Sequence, residues 1–237
     1  MVQSTRAWGL LRRFGELALD LLFPIECVGC GIEQFHYCGS CQQRLRALVQ
    51  GARCFYCKKS WYSGRACPSC SHQQYLPHEL QWIGSYASPM LGHAIRELKF
   101  GLRKPIAVTL GDALALRCQT INDCVVVPIP LSRRRMLERG FNQAAMIGER
   151  ICQSRGWMMN ESLLRRTRNT KAQAQLENEK RADNIRGAFE WVGGSVIPER
   201  VLLVDDVWTT GSTMMEAIRV LEEAGVQEVY GAVVALG

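Results

Sequence analysis

Eight of the 11 cysteines in this chain of 237 residues fall between Cys27 and Cys70, in four C-x-x-C pairs: CVGC, CGSC, CFYC and CPSC. No other feature restricts the fold as much. Two short C-x-x-C turns can supply the four thiolates of a tetrahedral zinc site. Cys27, Cys30, Cys38 and Cys41 form one quartet; Cys54, Cys57, Cys67 and Cys70 form the second. Four thiolates leave no open position, so two structural zinc sites are expected. Pairing within each quartet is expected, and an interleaved arrangement joining the first and third pairs remains open. His36 and His72 flank the quartets, either as substitute ligands or in solvated loops. Repeated C-x-x-C pairs without a secretory signal indicate a reducing compartment, so the expected location is cytoplasmic.

The chain is long enough for one large domain, or a medium domain and a small one. Its 47% hydrophobic content supports a globular protein, and its net charge of +7 favours an anionic partner. No apolar run reaches the ~20 residues of a membrane span. Residues 1–26 read as an amphipathic helix, with Trp8, Leu11, Phe14, Ala18, Leu21 and Leu22 at helical spacing. Arg12, Arg13, Glu16 and Asp20 interrupt any signal-peptide core, and packing on the protein is expected over a membrane-surface role.

The cysteine-rich module occupies 27–70, residues 71–81 (SHQQYLPHEL within them) read as a linker, and 82–237 form the main domain. There QWIGSYAS reads as a strand, PMLGHAIRELKF as a helix from Pro89, and 105–118 as a helix. CVVVPIP is a short buried strand and FNQAAMIGERICQSRG a helix closed by Gly156. VLLV is a strand, STMMEAIRVLEEAG a helix, and VQEVYGAVVAL a strand. Alternating strands and helices predict an α/β fold with a parallel sheet flanked by helices.

The stretch VLLVDDVWTTGST, Val201 to Thr213, concentrates the chemistry. Ligands of parallel sheets bind beyond the carboxyl ends of the strands, where Asp205 and Asp206 are expected to emerge. Thr209, Thr210, Gly211, Ser212 and Thr213 then open a helix, whose free N–H groups and hydroxyls suit a phosphate. Carboxylates cannot bind that phosphate, so they face sugar hydroxyls or a divalent cation. A phosphorylated ribose with magnesium combines these parts. No lysine stands where a Walker A loop requires one, and phospho-acceptor receivers lack the TTGST loop.

Two basic clusters follow other elements: LSRRRMLER (131–139) and RRTRNTK (165–171). Guanidinium forks match phosphate oxygens, so Arg133 and Arg139 are candidates for a diphosphate. Arg133, Arg134 and Arg135 are also candidates for nucleic acid, the alternative being a solvated basic surface. The cysteine module adds Lys58 and Lys59, with Arg44, Arg46, Arg53 and Arg65, interleaved with Phe55, Tyr56, Trp61 and Tyr62. Cations beside rings suit single-stranded DNA, or the rings form the module's small core. Cys118, Cys124 and Cys152 read as plain buried residues.

VLLVDDVWTTGST resembles the 5-phosphoribosyl 1-diphosphate (PRPP) motif of type I phosphoribosyltransferases. That resemblance implies that Asp205 and Asp206 contact ribose hydroxyls, serving as the catalytic pair in an enzyme, and that Thr209 to Thr213 hold the 5-phosphate. Trp208 is larger than the residue usual there and is expected to crowd or reshape the site. Over nearly its whole length the chain resembles the ComF/GntX family of competence and DNA-utilisation proteins. The resemblance rests on the cysteine quartets, Tyr86 with IRELKFG, VVPIPLSRRRMLERGFNQ, TKAQAQLENEKRADNIRGAF and the PRPP motif. It implies a phosphoribosyltransferase-like sheet preceded by a double zinc ribbon. It also implies a ligand-closing loop with Thr170, Gln173 and Leu176, while Asn184 and Phe189 fix local structure. The expected function is PRPP binding, with magnesium, in DNA uptake or utilisation, with contacts to single-stranded DNA and to a helicase or other competence protein. The alternative is an active PRPP-dependent phosphoribosyltransferase of unknown acceptor.

Overall fold

A computed structural model describes residues 24–48, 51–62, 64–168 and 185–237. Most of the expected N-terminal helix, and Thr170, Gln173, Leu176 and Asn184, lie outside the described residues. The elements are α1 (Gly39–Ala47), β1 (Leu80–Ser85), α2 (Pro89–Lys99), α3 (Pro105–Arg117), β2 (Val125–Pro128), α4 (Arg133–Arg139), α5 (Gln143–Arg155), β3 (Leu164–Arg166), β4 (Phe189–Trp191), β5 (Arg200–Trp208), α6 (Ser212–Ala224) and β6 (Glu228–Leu236). No described helix is long and apolar enough to cross a membrane.

β1, β6, β5 and β2 form one parallel sheet in that order, as the apolar strand runs predict. β5 lies inside it, between β6 and β2, which explains why Val201 to Val204 are apolar on both faces and fully buried. Val201 and Leu203 pack into one core with α6 residues Ala217, Ile218 and Leu221. Leu202 and Val204 pack into the other, with Leu110 and Leu114 of α3 and Ile147 and Ile151 of α5. The antiparallel hairpin of β3 and β4 adds Leu164 and Phe189 to the α6 side.

Several boundaries differ from expectation. The first strand ends at Ser85, because Ser85 closes a turn by accepting from Ala87 N and Ser88 N. β5 does not stop at Val204 but continues to Trp208, since β6 pairs with it as far as Trp208↔Leu236. The supposed linker is packed: His78 N donates to Val229 O (2.8 Å), Gly231 N donates to Glu79 O (2.9 Å), and Tyr75 and Leu76 rest on the α6-side core.

The two cysteine quartets dock at different places. Val28, Tyr37, Cys41 and Leu45 of the first join the core with α2 and α3. His93 Nδ1 of α2 lies 3.1 Å from Val28 O, and Arg103 Nη2 donates to Glu26 O at 2.5 Å. The second quartet inserts Phe55, fully buried, into the α6-side core. Burying such a ring stabilises by about 1.5–3 kcal/mol.

Candidate functional site

β2 ends opposite Val204, and Ile129 N makes a last hydrogen bond to Val204 O (2.9 Å). Beyond that point β5 keeps β6 as a neighbour but loses β2. Asp205 and Asp206 therefore enter a cleft of ≈ 730 Å³ at the carboxyl edge of the sheet. The acids sit one residue pair before the strand end rather than after it, and the position relative to the sheet edge is the one expected.

The two carboxylates have different surroundings. Asp206 Oδ1 meets Lys99 Nζ of α2 at 2.8 Å. Asp205 Oδ1 accepts from Asp206 N at 2.8 Å. Burial and the neighbouring Asp206 charge raise Asp205 to about 7, and Lys99 and Arg166 pull it back only in part. Such a pair suits hydroxyl donors or a divalent cation, either of which would favour the charged form. Arg135, Arg139 and Arg166 line the same cleft. Burial lowers Arg166 to about 10, with Arg135 nearby adding to the effect. Arg139 is also lowered by burial, which Asp206 opposes; its Nη1 donates to Gln143 Oε1 at 2.9 Å. With Lys99, four cations face three acids, Glu138 being the third, so at least one positive charge is in excess.

The hydroxyl loop borders this cleft. Gly211 caps α6 in the left-handed region (φ +80°), a conformation that glycine adopts at no steric cost. No acid lies in the first turn of this helix, and Ser212 N makes a long contact of 3.5 Å to Thr210 Oγ1, so the positive end of the helix suits an anion. Thr210 Oγ1 and Ser212 Oγ are 2.8 Å apart, beside that end. Thr209, Gly211, Ser212 and Thr213 line the cleft with the acids, and Thr210 faces an adjoining groove.

Trp208 lines the cleft but lies mostly in the core. Its ring is 2% exposed and packs on Phe55, with centroids 5.1 Å apart at 78°. Such a T-shaped pair contributes about 0.5–1.5 kcal/mol beyond its buried area. The side-chain alternation along β5 reverses past Asp206: Val207 packs with the α2–α3 core and Trp208 with the α6-side core.

The basic candidates divide. Arg135 and Arg139, four apart on α4, face the cleft, as that spacing places them on one side of a helix. Arg133 and Arg134 are exposed outside it, and Arg134 pairs with Glu138 (2.7 Å). Arg133 does not line the cleft, whereas Arg135 and Arg166 do. Lys99 escaped the sequence reading, though it lies within IRELKFG; no spacing rule marks a lone lysine at a helix end. In the cysteine module, Lys58 Nζ is buried and has no hydrogen-bond partner among the described residues, so it is not an exposed contact. Lys59, Arg65 and Tyr62 are exposed, whereas Phe55 belongs to the core.

Each cysteine quartet gathers its four sulfurs within 4.8 Å, so the pairing is local, not interleaved. Cys30 and Cys38 Sγ are 3.6 Å apart, and Cys57 and Cys67 Sγ 3.7 Å. A tetrahedron with Zn–S bonds of about 2.3 Å has edges of about 3.8 Å, so both donor sets fit zinc. Amides point at the sulfurs, Cys38 N at Cys27 Sγ (3.3 Å) and Cys67 N at Cys54 Sγ (3.4 Å). His36 accepts from Arg103 Nε and His72 contacts Gln73, so neither histidine joins a quartet.

Residues 166–237 match the phosphoribosyl transferase domain family, and residues 18–71 match the double zinc ribbon domain family. The chain is 29% identical to Competence protein F of Haemophilus influenzae, covering 86% of both chains. It is 30% identical to DNA utilization protein YhgH of Salmonella typhimurium, over 67% of this chain and 72% of that one. It is 32% identical to Competence protein ComFC of Streptococcus pneumoniae, over 55% and 54%.

Proposed function

Because the chain belongs to the ComF/GntX family of competence and DNA-utilisation proteins, we propose that it binds PRPP with magnesium and acts in DNA uptake or utilisation. One observation carries this reading. Asp205 and Asp206 share a single cleft with the hydroxyl loop and with Lys99, Arg135, Arg139 and Arg166.

The parts of the ligand then divide among the residues. The N-terminal end of α6 and the hydroxyls of Thr209, Ser212 and Thr213 hold the 5-phosphate, with Thr210 hydrogen-bonded to Ser212 from the adjoining groove. Asp205 and Asp206 accept hydrogen bonds from the ribose hydroxyls. Arg135, Arg139 and Arg166 face the diphosphate, where guanidinium groups bind oxygens in pairs. Magnesium, arriving with PRPP, would neutralise diphosphate charge, and the two carboxylates are the groups here that suit it. Single-stranded DNA contacts the exposed basic surface of Arg133, Arg134 and Lys59, and a helicase or other competence protein is the expected partner. The setting is the cytoplasm, where thiolates remain reduced.

A second reading, ribosyl transfer to an acceptor, is favoured by the same constellation. The cations would stabilise the departing diphosphate and the carboxylates the positive charge developing on the ribose. Ligand binding alone does not establish turnover. Two measurements on purified protein test both readings: calorimetric titration with PRPP and magnesium, and pyrophosphate release across nucleobases and oligonucleotides. Saturable binding without pyrophosphate release is expected. Release with one acceptor replaces the binding reading by the enzymatic one, and no binding at all removes both.

A further inference from the structure

We infer that the second cysteine quartet is a working part of the phosphate loop: its Cys54–Cys57 knuckle, through Phe55 and Trp208, sets the position of Thr209–Thr213. The inference rests on the reading that this loop holds a phosphate.

Phe55 lies between two of the quartet's ligands, on a turn closed by Lys58 N to Cys54 O (2.9 Å) and Cys54 N to Lys59 O (2.8 Å). Its ring is fully buried and meets Trp208 edge to face at 5.1 Å. Trp208 immediately precedes Thr209, and Gly211 lies against its ring. A Cβ on Gly211 would fall 2.2 Å from Trp208 Cζ2, so loop backbone and indole are in direct contact. Tyr56, the next knuckle residue, lines a ≈ 1020 Å³ groove together with Thr209, Thr210 and Ser212. Knuckle, ring, ring and loop glycine thus form one continuous stack. The first quartet lies elsewhere, against α2 and α3.

The stack also accounts for the size of Trp208. A small residue there would leave the loop unsupported above Phe55, whereas an indole fills the distance. A knuckle held by a tetrahedral metal is rigid, and small displacements of a binding loop weaken binding steeply. Phe55 is a positioning residue, since it is fully buried outside the cleft, and it acts through Trp208 at the cleft wall. Coupling between two binding sites is reciprocal: if the second quartet's metal favours the ligand, the ligand favours retention of that metal.

Ribose 5-phosphate, which lacks the diphosphate, is the probe. Phe55→Leu is expected to weaken its binding about tenfold, within the usual range of coupling between sites, with two zinc ions retained. In wild type, zinc released to a chelator and followed with a metal-sensitive dye should leave in two phases. Saturating ribose 5-phosphate should slow one of them, and Phe55→Leu should remove that protection. If Phe55→Leu loses zinc, Trp208→Phe, which keeps a ring but shortens it, is read instead. Equal affinity in a zinc-replete variant, or protection of neither ion, overturns the inference. Wild-type protein that binds neither ribose 5-phosphate nor PRPP overturns the phosphate reading itself, and this inference with it.

Discussion

Asp205 couples the site to pH through a single proton. An unfolded carboxyl ionises near 3.8, whereas burial and Asp206 keep the folded one protonated to about 7. The folded state therefore holds the extra proton between these values, and stability falls as pH rises from about 4 to about 7. Asp205→Asn removes this cost. The ligand-free variant should melt above wild type at pH 8 and by clearly less at pH 5, with about 2–4 °C for each kcal/mol relieved. An equal shift at both pH values would contradict the assignment. Bound ligand needs the charged form, so PRPP affinity in wild type should fall as pH drops from 8 to 6. That the two acids lie in a cleft at the carboxyl edge of the sheet was legible from their place after an apolar strand. The role of Trp208 was not: strict alternation would put it on the face of Leu202 and Val204, and the reversal past Asp206 has no mark in the sequence.

At the scale of elements, the quartets were legible because C-x-x-C turns dictate ligand geometry locally. Metal analysis should find two zinc ions per chain, and Cys57→Ser should leave one; one ion in wild type would refute the paired sites. Helix α4 was legible only as a basic cluster. Its seven residues carry no apolar stripe, so the division into cleft-facing Arg135 and Arg139 and outward Arg133 and Arg134 appears only in the fold. Neutralising Arg133 and Arg134 together should weaken single-stranded DNA binding and lower the slope of log affinity against log salt by about 1.4, at about 0.7 per phosphate contact. An unchanged slope would move the DNA-contacting surface elsewhere, Lys59 and Arg65 beside exposed Tyr62 being the next candidate.

Across the whole molecule, strand and helix order followed from periodicity, because each strand of a covered parallel sheet must be apolar along its length. What periodicity could not supply was adjacency. It read the cysteine module as a separate unit behind a linker, whereas the first quartet joins the core on one face of the sheet and the second sends Phe55 into the core on the other. Lys99 and Arg166 come to the acids from α2 and β3, far apart in sequence, and no local pattern records such a meeting. The account joins these distant parts around one ligand whose phosphate and ribose are held by different groups. Calorimetric titration of PRPP with magnesium into wild type and into Asp205→Asn with Asp206→Asn tests that most directly. Saturable binding by the wild type and none by the double variant, with its fold and zinc content intact, is the predicted result. Equal affinity of the two proteins would contradict the site.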